Sequence, residues 1–167
     1  MNLRSKKRLN DKAPRIPAVT LTVSNRQKIR KINTRSLKEI AAATLANLKI
    51  QEAELGIVVV GAKEMASLNE SFLGHEGPTD VITFDYSESR TPAEIRGEIF
   101  ICVSEAERQS KLFGTDWQSE VVRYVIHGIL HLAGYDDLQP VARKKMKREE
   151  NRLVRRLWRP KSTKLGP

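Results

Sequence analysis

Glu120-Val-Val-Arg-Tyr-Val-Ile-His127-Gly-Ile-Leu-His131-Leu-Ala-Gly134-Tyr135-Asp136-Asp137 is the stretch around which the rest of the chain has to be arranged. Val121, Val122, Val125, Ile126, Ile129, Leu130 and Leu132 make it apolar almost throughout. Glu120, Tyr124, His127 and His131 interrupt it at spacings of three and four, which puts them in one stripe of a helix. A helix this apolar belongs in the core. Thr115 or Asp116 can cap its start, with Glu120 placed to reach back, and Gly134 ends it. Two imidazoles in such a helix need a partner, because buried polar groups cost free energy unless they are satisfied.

A metal ion supplies that partner. Zinc takes neutral imidazole nitrogen and carboxylate oxygen, and catalytic zinc keeps one position open beside three protein ligands. Once Gly134 has turned the chain, either Asp136 or Asp137 can reach the same ion. The competing reading is a histidine pair held by local hydrogen bonds, since H-x-x-x-H alone is a short pattern. The helix stop and the Asp-Asp behind it favour the metal. The zinc-protease pattern needs Glu directly after the first His; here that residue is Gly128, so this mechanism is excluded. His75, the third and last histidine, sits near Gly77-Pro78 and reads as a solvated loop residue.

Working outward, Val19–Val23 alternates like a strand. Thr34 or Ser36 can cap a helix over Leu37–Leu48, whose apolar residues recur at helical spacing. Glu54–Val60 is a second strand, apolar on both faces at Ile57–Val60. A helix over Ala62–Phe72 turns Met65, Leu68 and Phe72 to one side. Asp80–Tyr86 and Gly97–Val103 are strands three and four, with a turn at Thr91-Pro92 between them. Ser104–Phe113 and the histidine segment are helical. A last basic helix covers Pro140–Trp158, with Val141, Met146, Leu153, Val154 and Leu157 inside. Four strands and about five helices give a single α/β domain of the α+β type, with a small mixed sheet. Its expected limits are 18–158, between a flexible basic arm at 1–17 and a frayed tail at 159–167.

The chain has 167 residues, enough for one domain with a substantial core. Cys102 is its only cysteine, which excludes a disulfide framework and a cysteine-rich zinc site within one chain. No apolar run is long enough to cross a bilayer, and the basic N-terminus has no apolar segment behind it, so the expected compartment is cytoplasmic. The net charge of +10 is unevenly placed. Residues 1–35 hold eleven Lys/Arg against one acid, and residues 143–167 hold eleven against two. The middle carries 17 acids and eight bases, an excess that suits a cation site. Basic ends point to a polyanion, nucleic acid before membrane. Aromatics are only 5%, so a broad base-stacking platform is not expected.

The segment His127-Gly-Ile-Leu-His131-Leu-Ala-Gly134-Tyr135-Asp136-Asp137 resembles the H-G-x-L-H-L-x-G-Y-D-H signature of the YbeY endoribonucleases, the bacterial rRNA maturation factors. Leu68-Asn69 through Pro78-Thr79-Asp80-Val81-Ile82-Thr83-Phe84 resembles that family's L-N-x-x-Y-R … P-T-D-V-L-S-F segment, and Gly97-Glu98-Ile99 its G-D-I strand start. The resemblance covers roughly residues 18–158. It implies one zinc ion per chain, held by His127, His131 and Asp137, with Asp137 in place of the third family His. It also implies a single-strand-specific endoribonuclease acting on the 16S rRNA 3′ end and in ribosome quality control, with rRNA precursor and the small ribosomal subunit as partners. The family arginine after the aromatic of the second segment is Leu73 here, so its phosphate-gripping role is unfilled unless Arg96 or a basic end substitutes. Glu98, Asp80 and Asp136 are the candidates for a general base; their everyday roles are solvated strand residue, hydrogen-bond acceptor at a strand start, and turn former. The rival reading is a ribosome- or RNA-binding protein with a structural metal and little catalysis. No oligomeric state follows from the residues.

Overall fold

The computed structural model describes residues 18–88, 94–159 and 165. The expected arm at 1–17 and the Thr91-Pro92 turn lie outside them. In chain order the elements are β1 (Val19–Asn25), α1 (Thr34–Asn47), β2 (Glu52–Val60), α2 (Ala62–Leu73), β3 (Val81–Asp85), β4 (Glu94–Cys102), α3 (Val103–Phe113), α4 (Trp117–Leu132) and α5 (Pro140–Leu157). The four strands form one mixed sheet in the order β1-β2-β4-β3. β1, β2 and β4 run parallel, and β3 pairs antiparallel to β4 with Thr83 opposite Ile99. The expected α/β class and strand and helix numbers are those observed. No helix among the described residues is long and apolar enough to cross a membrane.

The two sheet faces are covered differently. Ala53, Leu55, Ile57 and Val59 of β2, with Ile95, Ile99 and Ile101 of β4, face a core shared with α1 and α4. On the other face α2 brings Met65 and Leu68 onto Val58, Val60, Ile82 and Phe100. That helix covers only one end. β2 is therefore buried on both faces at Ile57–Val60, as its apolar run implies, but alternates at Glu52–Gly56. The uncovered end carries Glu54, Arg96 and Glu98 around an open cavity of about 430 Å³.

Several boundaries move. α1 is capped by Asn33, whose Oδ1 accepts the Ser36 N–H at 3.1 Å, rather than by Thr34 or Ser36. β4 begins three residues before Gly97. Val141, expected inside, is 84% exposed. It lies five residues before Met146, about 140° around the helix from the buried stripe of Met146, Glu150, Leu153 and Val154. Phe72 is exposed too, resting its ring edge-on against Phe84 with centroids 5.0 Å apart. Of the expected frayed tail at 159–167, residues 160–164, 166 and 167 lie outside the described residues; Leu165 is fully buried and its carbonyl accepts the Asn33 N–H at 2.6 Å.

Helix α4 sits unusually close to the sheet. A Cβ placed on Gly128 would lie 2.6 Å from Ile99 Cγ2, whereas one on Gly97 would lie closer still to the Phe84 carbonyl oxygen of β3, with Leu132 Cδ2 farther off at 3.0 Å. Gly128 thus allows the close approach of α4 to β4 that sets the height of the histidines above the sheet, and Gly97 makes room for the β3 backbone. Gly128→Ala should therefore cost about 1–3 kcal/mol by overpacking. Denaturant unfolding should show this loss, and in a Gly128→Ala/Ile99→Ala double variant the total loss should be smaller than the sum of the two single losses.

Candidate metal centre

Asp116 caps α4, accepting the Ser119 N–H at 2.7 Å, while Thr115 donates its hydroxyl to Glu120 at 2.6 Å. At the other end the chain reverses through Gly134 at φ 87°. The Gly134 N–H reaches the His131 carbonyl at 2.9 Å and the Tyr135 N–H reaches Leu130 at 3.0 Å. This paired closure needs a left-handed residue, which glycine adopts without strain. The reversal returns Asp137 to the histidine face.

His127 Nε2 and His131 Nε2 lie 3.1 Å apart. Asp137 Oδ2 is 4.0 Å from the first and 3.6 Å from the second. The point equidistant from the corners of such a triangle is about 2.1 Å from each, matching zinc–nitrogen and zinc–oxygen bonds of 2.0–2.2 Å. These three are the one group of metal-ligating side chains found together among the described residues, and they could hold a metal ion. His75 is exposed and takes no part. Asp136 is a turn former, its Oδ1 accepting the Leu138 N–H at 3.0 Å.

The residue that sequence reasoning missed is Glu150. It lies in α5, is 3% exposed, and its Oε2 stands 2.8 Å from His127 Nδ1. A carboxylate accepts, so Nδ1 carries the proton and Nε2 presents its lone pair to the site. The other carboxylate oxygen, Oε1, accepts from Arg123 at 2.5 Å and Lys147 at 2.9 Å. Burial by itself pushes the Glu150 carboxyl up, but the hydrogen bonds from His127, Lys147 and Arg123 outweigh it and hold the group at about 2. Its folded value lies below its unfolded one, so its contribution to stability is present above about pH 4.5 and is lost as pH falls toward 2. The missed signal was a glutamate recurring with Met146, Leu153 and Val154 on the inner stripe of α5.

His127, Asp137 and Glu150 line a cavity of about 200 Å³ with Asp80, Arg123, Tyr124, Arg143, Met146 and Lys147. At about 30 Å³ per water this holds a phosphate group with a few waters. Of the three candidate bases only Asp80 lines it. Its Oδ1 accepts from Thr79 Oγ1 at 3.0 Å and from the Val81 N–H at 2.9 Å. Glu98 is on the opposite sheet face, bonded to Tyr86 OH at 3.0 Å. Arg96 is there too, paired with Glu54 at 3.4 Å, so it does not fill the role vacated at Leu73. Leu73 is exposed at the end of α2 and does not line the cavity.

Burial and the neighbouring His127 push the His131 imidazole below its ordinary 6.5, against the opposing pull of Asp137. Metal binding requires the neutral ring. Occupancy should thus be flat from pH 8 to about 6.5 and decline only below that. Glu150→Gln removes the charge that fixes the His127 tautomer. Competition with a chromophoric chelator should show about 10–100-fold weaker metal binding in that variant.

A family model described as endoribonuclease YbeY matches residues 9–158. Relatives named endoribonuclease YbeY include that of Chlorobium luteolum, 36% identical over 106 residues, which cover 64% of this chain and 75% of that protein. The one from Elusimicrobium minutum is 34% identical over 123 residues, covering 72% and 86%. A solution structure of a Thermotoga maritima protein superposes with a TM-score of 0.60 at 29% identity, over 83% of this chain and 89% of the other. On the match over nearly its whole length, the chain belongs to the endoribonuclease YbeY family.

Proposed function

We propose that the protein is a zinc-dependent, single-strand-specific endoribonuclease, with His127, His131 and Asp137 as ligands and the maturing 16S rRNA 3′ end as target. The same reading gives it a part in ribosome quality control, with the small ribosomal subunit as partner and the cytoplasm as compartment. The observation that carries it is the pair of Nε2 atoms and the Asp137 oxygen gathered around one point, with Glu150 fixing a tautomer suited to a cation. Two nitrogens and one oxygen are an ordinary zinc donor set.

A zinc ion bound there supplies Lewis-acid chemistry, polarising a phosphoryl oxygen and acidifying water. The cavity's own charges are balanced: Arg123, Arg143 and Lys147 against Asp80, Asp137 and Glu150. A dication makes it positive, which draws in a phosphodiester. Asp80, which lines the cavity, would accept the proton of the attacking water as one P–O bond of the backbone breaks and the departing ribose oxygen takes up a proton from solvent. Asp137 as third ligand, an anion where the family has a neutral His, leaves the ion less electrophilic.

The rival, an RNA-binding protein with a structural metal, fits less well. Structural zinc has four protein ligands; the described residues offer three, and their side chains are 27–40% exposed. The exposed basic residues of α5, among them Lys144, Lys145, Arg148, Arg155 and Arg156, provide an RNA-facing charge under either reading. Of the N-terminal basic residues, Arg26 and Arg30 are engaged by Glu64 and Glu107.

Single-stranded RNA incubated with purified protein should be cleaved, cleavage should stop with chelator, and zinc should restore it. Asp137→Ala should lose stoichiometric metal and cleavage together, and Asp137→His should keep both. Metal retained at one per chain with no cleavage of any RNA would favour the rival. Asp80→Asn should keep the metal and slow cleavage by about 10²–10⁴-fold.

A further inference from the structure

Three cations line the metal cavity, and they are not equivalent. Arg123 is bound to Glu150 and, at 2.8 Å, to Asn151 Oδ1. Lys147 is bound to the same Glu150 oxygen as Arg123. Both neutralise a buried carboxylate that holds His127. Arg143 differs. Its Nε donates to the backbone carbonyl of Asp137 at 2.8 Å, and it has no ion pair among the described residues. One of its five N–H donors is used, on a neutral acceptor, which orients the guanidinium plane and leaves its terminal N–H groups without a partner among the described residues.

We propose that Arg143 is the phosphate-binding residue of this cavity, its terminal N–H groups holding the non-bridging oxygens of the scissile phosphate. The inference rests on the reading of the site as one that cleaves a phosphodiester. The anchor comes from Asp137 itself, so the guanidinium is tethered to the same residue that reaches the histidine pair. A planar fork held by one edge suits bidentate recognition of phosphate, and its planarity limits the ordering cost on binding. It also supplies the positive group that neither Leu73 nor Arg96 brings to the cavity. Its place in the first turns of α5 explains why the sequence alone grouped it with a solvated basic helix.

The discriminating variant is Arg143→Gln. A glutamine amide nitrogen occupies the same place along the side chain as arginine Nε, so the donor to Asp137 is kept while the fork is removed. Zinc content should stay at one per chain, and kcat on single-stranded RNA should fall about 100-fold, the loss typical of one donor to a reacting oxyanion. Arg143→Lys should recover little of this. A residue that only braced the Asp137 turn would behave otherwise: Arg143→Gln would remain active, and Arg143→Ala would lose metal. Binding of fluorescein-labelled single-stranded RNA to chelator-treated protein gives a readout independent of cleavage. Its salt dependence should weaken by about 0.7 in log–log slope on Arg143→Gln, the share of one single-strand phosphate. Unchanged kcat together with an unchanged salt slope would overturn the proposal. If the wild-type protein cleaves no RNA, the functional reading fails, and the slope alone decides whether Arg143 grips phosphate.

Discussion

The 2.8 Å hydrogen bond between His127 Nδ1 and Glu150 Oε2 ties the site to the fold. It joins α4, which lies on the sheet, to α5, which otherwise packs through Met146, Leu153 and Val154. A buried carboxylate is costly unless its oxygens are satisfied, and removing a partner from such a pair typically costs several kcal/mol. Here Arg123, Lys147 and His127 meet that requirement together. The consequence reaches the chemistry: Arg123 and Lys147 help keep Glu150 ionised, and the Glu150 carboxylate in turn keeps the His127 proton on Nδ1, so Nε2 presents its lone pair to the site. The same contact joins the two helices and orients His127, so a change to either helix surface is felt at the other.

The remaining geometry follows from close approach. Gly128 brings α4 down onto β4, Gly134 reverses the chain, and Asp137 arrives opposite the histidines. Two glycines thus set the height of the histidines and the turn that returns Asp137 to them. The incomplete cover of the second sheet face has a different consequence. It leaves Glu98 and Arg96 around a separate cavity, while Asp80 and Arg143, with Arg123, Lys147 and Glu150, line the one beside His127 and Asp137.

Much of this was legible in the residues. The period of α4 and its two caps fixed the helix, and the spacing of His127 and His131 put both on one face. The apolar run Ile57–Val60 marked the doubly covered end of β2. What escaped has one physical origin: the sequence pattern sorts residues by polarity, and the site breaks that sorting. Glu150 is charged and buried, so the polarity pattern does not place it among the inner positions of α5. Val141 is apolar and exposed, so it read as core. Arg143 carries no signal of its own in the sequence, because its partner is a backbone carbonyl that no side-chain pattern reveals.

The central claim is that one ion sits between His127, His131 and Asp137. Crystals of zinc-loaded protein, with diffraction recorded on both sides of the zinc absorption edge, test it most directly. The account predicts a single anomalous peak per chain within about 2.1 Å of His127 Nε2, His131 Nε2 and Asp137 Oδ2, with no fourth protein ligand. A zinc-loaded crystal with no peak at that point, or with its peak at His75 or another surface residue, would contradict it.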